Sequence, residues 1–317
     1  MRQIPIISGI WNYLTVPKLP HTSVAISETH LSLIALRANG GGFEPRHLGV
    51  LRLPPGLVKA SFTEPNIVDE GAMGELLRKT ATQAGAKGLK GLSISLPTGS
   101  ARSVVVSMES APNSRAELEQ MIEWKTERSL GHKFSELRVN HTRLRDFNGR
   151  SQWIICAASE RVLEQYERIF DGLDWQVGLI VPRHIGEAQW LMRSGRKEDQ
   201  VVLSLNSRGF EAVIVRGNEP VLVREVTCPL DERENEFYRL MVFYRDRMTS
   251  ADSPARLSRL LVIGNLAEQR SFGAVLASAL ESNTVLLGPQ HLGLRVDSNA
   301  PFNHFAAAGG LATMAWN

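Results

Sequence analysis

Cysteine is scarce: the 317 residues hold two, Cys156 and Cys228. Neither lies in a Cys-x-x-Cys pair, which excludes a disulfide framework and suits a reducing cytosol. Cys156 sits in the apolar run Trp153-Ile154-Ile155-Cys156-Ala157 and reads as a small buried hydrophobe. Long apolar runs are missing too. No stretch reaches the ~18–20 residues that cross a bilayer, and the C-terminal run 305–316 is too short. Residues 4–14 lack the charged leader, apolar core and cleavage site of a secretory signal. The charge is nearly balanced, at +3, so no electrostatic footprint for nucleic acid is expected. The arginines between 239 and 259 are flanked or interrupted by Asp231–Glu236, Asp246 and Asp252, and read as a solvated helix face.

Recognised catalytic spacings are also absent. The eight histidines form neither HxxxH nor HExxH, so no zinc site is expected, and His30 and His132 read as surface residues. Neither a GxxxxGK[ST] loop nor a GxSxG elbow occurs. The Gly- and Lys-rich stretch 85–91 precedes a strand, whereas a phosphate cradle needs a helix after its glycines. It reads as a helix-to-strand connection.

What is present is an ordinary globular composition, 43% hydrophobic and 22% charged, at a length where cores divide in two. The same plan occurs twice. Strands are expected at 24–27, 31–36 and 47–53, then a helix with Met73, Leu76, Leu77, Thr80 and Ala84 on one face, then a strand at 92–96. The second copy has strands at 201–205, 212–215 and 221–226, the last two joined by a turn at Gly217-Asn218. A helix striped by Phe237, Leu240, Met241, Tyr244 and Met248 follows, then a strand at 260–263 and a helix carrying Phe272, Val275, Leu276, Ala279 and Leu280. Between the copies lies an inserted region, about 88–158. It holds strands at 92–96 and 104–108, a helix opened by a Ser114/Glu117 capping box, and strands at 137–144 and 153–157. A helix from Ser159 with Val162, Leu163, Tyr166, Ile169 and Phe170 inward comes next. Trp124 lies off its helix's apolar stripe; exposure to a partner and packing on the inserted sheet are both open. The fold class is α/β: a first lobe over 20–190 containing the insert, and a second over 191–317.

Many weak matches, in order, carry a resemblance to a known family. They are Ile94-Ser95-Leu96-Pro97, Ala116-Glu117-Leu118-Glu119, Glu123-Trp124-Lys125, Ile155-Cys156-Ala157-Ala158-Ser159, Val223-Arg224-Glu225-Val226, Leu261-Val262-Ile263-Gly264 and Gly310-Leu311-Ala312. From about residue 22 to 314 the chain resembles PilM of type IV pilus assembly, a relative of FtsA and of the cytoplasmic part of GspL. The resemblance implies a duplicated actin-like (ribonuclease H-like) fold with an inserted α+β subdomain and a final helix returning to the first lobe.

In that superfamily each lobe opens with a hairpin bearing an Asp and, two residues on, a Gly. The carboxylates organise magnesium and the glycines admit the phosphates. Here Ala25 and Ser27 stand at those places in the first hairpin, and Ser204 and Asn206 in the second. Glu28 would face a triphosphate; one like-charge pair at ~4 Å costs about 4 kcal/mol at an effective dielectric of 20. Arg208 is expected to face solvent. The adenosine-side turn keeps Gly264 but has Asn265 where a second Gly is usual. No cofactor is therefore expected, with ATP and magnesium the alternative. The family implies a cytoplasmic scaffold, not an enzyme, at the inner membrane of a pilus or type II secretion machine. Its expected partner is a PilN-like bitopic membrane protein, whose N-terminal tail docks beside the insert; pilus motor components are further candidates. An ATP-switched protein and an FtsA-like filament former are the competing readings. A terminal membrane helix of the FtsA kind is not expected here.

Overall fold

The computed structural model describes residues 19–109, 112–248 and 257–316. The N-terminal stretch 4–14 and Asp252 lie outside them.

Two five-stranded sheets repeat one topology. In the first, β1 (Thr22–Ile26), β2 (His30–Asn39) and β3 (Gly42–Arg52) form an antiparallel meander. Helix α1 (Glu70–Gln83) then leads to β4 (Gly91–Ser95), parallel to β1, and β8 (Gln176–Val181) completes the order β3-β2-β1-β4-β8. The second sheet has the meander β9 (Asp199–Asn206), β10 (Gly209–Arg216) and β11 (Glu219–Thr227). Helix α5 (Arg233–Arg247), strand β12 (Arg259–Ile263), helix α6 (Leu266–Leu280) and the short β13 (Val285–Leu286) give the order β11-β10-β9-β12-β13. The registers coincide: Ala25 faces Ser32, seven residues on, and Ser204 faces Glu211, seven residues on.

The inserted sheet has the order β5-β7-β6, from β5 (Arg102–Met108), β6 (Leu137–Phe147) and β7 (Arg150–Ser159). Helix α2 (Arg115–Leu130) packs on it through Ile122. The strand at 92–96, expected both in the first repeat and in the inserted region, belongs to the first sheet: as β4 it is flanked by β1 and β8. Periodicity finds a buried strand but not its neighbours. The expected capping box is half formed: Ser114 Oγ accepts from Glu117 N at 3.1 Å, while the Glu117 carboxylate takes the Asn113 N–H. Trp124 is 53% exposed.

Helix α3 (Glu160–Asp171) buries the expected stripe Val162, Leu163, Tyr166, Ile169 and Phe170. It also buries Gln165, whose amide oxygen accepts from Asn66 N and Ile67 N and whose NH₂ donates to Ile67 O. That clamp holds the 59–69 loop on the first lobe. Between the two sheets lie α4 (Arg183–Met192) and α7 (Phe302–Thr313), in one core with Ala25, Ile34, Val202, Val213 and Ile263. The run 305–316, apolar enough to draw attention as sequence, is the wedge that joins the lobes. Its backbone passes close to α4: a Cβ on Gly310 would sit 2.0 Å from Gly186 O. Trp190 Nε1 donates to Ala306 O across the same crossing. Among the described residues no helix is long and apolar enough to cross a membrane.

Candidate functional site

Two concavities involve residues singled out by sequence. The first is a cleft of about 400 Å³ where the two hairpins meet. Ser27, Glu28, Asn206, Gly264 and Asn265 all line it. Ala25 and Ser204 do not; they lie one layer deeper, 1% and 3% exposed. Each of these residues is already committed. Ser27 Oγ donates to His30 O at 3.0 Å and accepts from His30 N at 2.9 Å, holding the β1–β2 turn. Glu28 accepts from Ala60 N at 3.2 Å. Ser204 donates to Glu187 of α4, which is fully buried and ion-paired with Arg183 at 2.9 Å. Asn265 caps α6 reciprocally with Glu268, at 3.0 and 2.8 Å. Gly264 leaves room for that carboxylate, since a Cβ there would stand 2.8 Å from Glu268 Oε2.

Cations from three elements converge on the cleft. Arg208 is exposed, as expected, and its guanidinium also reaches from the second lobe to donate to Thr98 O of the first at 3.0 Å. Arg233 donates to Asn206 O and lies 3.6 Å from Glu268. Arg183 donates to Asn303 O at 3.2 Å. His30, read from sequence as a surface residue, stacks on His304 with centroids 3.7 Å apart. Burial, then His30, then Arg183 push the His304 pKa down to about 4.

A pH dependence follows. The unfolded ring takes a proton near 6.5 and the folded one only near 4. The neutral ring's contribution is fully present above pH 6.5 and is lost as pH falls from there towards 4. Denaturant unfolding of the wild type and His304→Gln across that window should show the wild type losing about 1–2 kcal/mol more. This is less than the full shift converts to, because water screens a half-exposed ring.

Beneath the cleft is a buried polar hub that sequence reasoning missed. His184 Nδ1 is 3.1 Å from Glu211 Oε1 and His184 Nε2 is 2.8 Å from Ser103 Oγ. Thr98 Oγ1 donates to Glu211 Oε2 at 3.1 Å. Burial alone would push His184 down, but the Glu211 charge and hydrogen bond, with the Glu187 and Glu225 charges, together outweigh it and hold the ring above its ordinary value. For Glu211 burial works upward, and the His184 charge and hydrogen bond, the Thr98 hydrogen bond and the Arg183 charge together outweigh it, so its carboxyl titrates low. Both directions favour the ion pair, the form in which both ring nitrogens donate, to Glu211 and to Ser103. One signal for it was legible: Glu211 is a charge opening the apolar run Ala212-Val213-Ile214-Val215.

The second concavity, about 580 Å³, lies between the first lobe and the insert. One wall is β8, an edge strand whose consecutive residues 177–181 all line it. Consecutive residues point to opposite faces of a strand, so the groove runs along a backbone edge. The other wall is the edge strand β6, through Arg138, Val139 and Asn140. Arg138 is held by Glu160 at 2.7 Å and by Glu167.

No protein-family model matches the chain, and no curated protein matches it. Solved structures do. The chain superposes on a component of the PilM-PilN type IV pilus biogenesis complex with a TM-score of 0.75 and 16% identity, over 95% of this chain and 100% of that one. A Bacteroides thetaiotaomicron protein of actin-like ATPase fold and unknown function gives 0.51 and 11%, over 96% and 98%. The cytoplasmic domain of EpsL, an inner-membrane component of the Vibrio cholerae type II secretion system, is more distant, at 0.48 and 11% over 93% of each chain. The chain is thus a protein of the actin-like fold. Within that fold it is similar over nearly its whole length to PilM.

Proposed function

We propose that this chain is a cytoplasmic scaffold of a pilus or related secretion machine, held at the inner membrane by partners, with a degenerate nucleotide site. The groove between β6 and β8 takes the extended N-terminal tail of a PilN-like membrane protein, which adds to a free strand edge. The observation that carries this reading is the pair of unpaired backbone edges facing one groove beside the insert, on a fold whose solved counterpart belongs to a PilM-PilN complex.

The cleft's chemistry supports the rest. Magnesium with a triphosphate needs carboxylates on the hairpins and open backbone for the phosphates. The hairpins offer Ala25 and Ser204 instead, Ser27's hydroxyl is spent in its turn, and Arg208 spans the lobes. These residues do not fit a magnesium nucleotide. A cationic side chain makes the contact between lobes that a bound nucleotide makes in an ATPase.

The test is binding of a fluorescent peptide with the N-terminal sequence of a PilN-like protein. Asn140 is exposed and lines the groove, so Asn140→Trp fills it without disturbing the core. The variant should bind at least about tenfold more weakly, with an unchanged melting temperature. Undiminished binding would move the tail elsewhere.

A further inference from the structure

We propose that the groove between β6 and β8 is occupied, when no partner is present, by a segment of this same chain, residues 10–16, laid along β8 as a further antiparallel strand. The seating of the segment stands on the geometry below; its competition with a partner's tail rests on the function proposed above. The path of the chain carries the inference. β1 begins at Thr22, and β4 separates it from β8 in the first sheet. Two residues earlier the chain has already crossed to β8. A Cβ on Gly91 of β4 would stand 3.8 Å from Pro20 Cγ, and one on Gly178 of β8 would stand 3.0 Å from Pro20 Cδ. Gly178 is one of the consecutive β8 residues that line the groove, and the outer side of β8 pairs with no strand among the described residues. Pro20 lies at the end where β8 begins, so the chain preceding it, laid along the groove, runs antiparallel to β8.

The residues suit the place. Ile10, Trp11, Tyr13, Thr15 and Val16 are β-branched or aromatic, the types that fit a pleated, half-buried surface. Alternation puts Ile10, Leu14 and Val16 on one face and Trp11 and Tyr13 on the other. The groove offers Leu96, Leu163, Leu179 and Val181 to meet them. No residue of 10–16 is charged, so the segment brings no charge into the groove, where Arg138 and Glu167 already pair with each other. Pro17 and Pro20 fall in the connection and not in 10–16, so the missing N–H groups cost no strand pairing. Residues 17–19 reach up to about 10 Å, enough to bring the chain from the face of the sheet to its edge. Seven extended residues then span about 23 Å, and the five of β8 that line the groove span about 17 Å. Main-chain pairing to a free edge supplies the affinity, and the tether makes the segment compete as if at about millimolar concentration.

The test compares the full chain with its variant Trp11→Asp/Tyr13→Asp, whose changes lie outside the described residues. Amide exchange over 177–181 should be at least about tenfold faster in the variant, because the outer edge of β8 loses its cover. A labelled peptide of residues 8–17 should bind the variant saturably, bind the wild type hardly at all, and lose its binding when Asn140→Trp is added. A PilN-like tail peptide should bind the variant about tenfold or more tightly than it binds the wild type. Equal exchange in the two chains, or binding of the 8–17 peptide that ignores Asn140→Trp, would overturn the proposal. So would wild-type dimers that the variant does not form, since the segment would then come from a second copy. The tail peptide separates this inference from the function proposed above. If it binds both chains alike, the inference fails and the function stands; if it binds neither while the 8–17 peptide binds the variant, the function fails and the inference stands. Circular dichroism of the variant distinguishes an uncovered groove from a lost fold.

Discussion

Replacing Glu211 with alanine is expected to destabilise the protein by about 3–5 kcal/mol at neutral pH. That is the range for removing one partner of a buried ion pair. Glu211 is 2% exposed and is the counter-charge to His184, itself 3% exposed. Without the carboxylate, the ring either stays charged in a dry site or gives up its proton. Either course forfeits the pairing, and Thr98 Oγ1 loses its acceptor as well. The groups so joined come from the turn after β4, from α4 and from β10, so the loss falls on the contact between lobes. Chemical denaturation measures it. The double variant Glu211→Leu/His184→Leu should recover a large part, because removing both partners leaves no unpaired buried charge. If Glu211→Ala alone costs under about 1 kcal/mol, the pair is not ionic in the folded protein.

Gly310→Ala should cost about 3 kcal/mol or more. The added methyl would stand 2.0 Å from Gly186 O, a backbone atom fixed in α4, so the helices must separate. Both neighbours at this crossing are constrained: a Cβ on Gly186 would in turn meet Ala307 O at 2.8 Å. The same substitution at Gly74 is the control. There a Cβ meets only Leu173 Cδ2 at an ordinary 3.8 Å, inside α1. Alanine at 74 should stabilise by up to about 1 kcal/mol through helix propensity. Opposite signs for one chemical change would show that the α4–α7 approach carries the effect. Equal signs would mean that the crossing relaxes freely.

The architecture was legible where local pattern decides it. Apolar runs marked the meanders, glycines marked the turns at 40–42 and 217, and the stripe from Val162 to Phe170 marked a helix that buries those very residues. Pattern does not say which strands are neighbours. The strand at 92–96 could be read with either sheet until its pairing with β1 and β8 was seen. The β6–β8 groove was illegible for the same reason: its walls, 138–140 and 177–181, meet only because two sheets end side by side. At the two hairpins, positions 25, 27, 204 and 206 could be picked out from sequence, since each belongs to a short local motif, though only 27 and 206 line the cleft. The groups that close the cleft could not. Arg208 meets Thr98 110 residues away, and His30 stacks on His304 from the far end of the chain. The surface reading of His30 rested on its residue type, and stacking on His304 leaves it half-buried instead; Arg208 is exposed, and only its partner was hidden from the sequence.

In the function proposed above, the protein's own cations bridge the cleft between the hairpins and leave no place for a magnesium nucleotide. A thermal or chemical unfolding series with and without millimolar Mg-ATP tests it most directly. No change in stability is the predicted result. A gain approaching 2.7 kcal/mol, the value for a site filled at about a hundred times its dissociation constant, would contradict it.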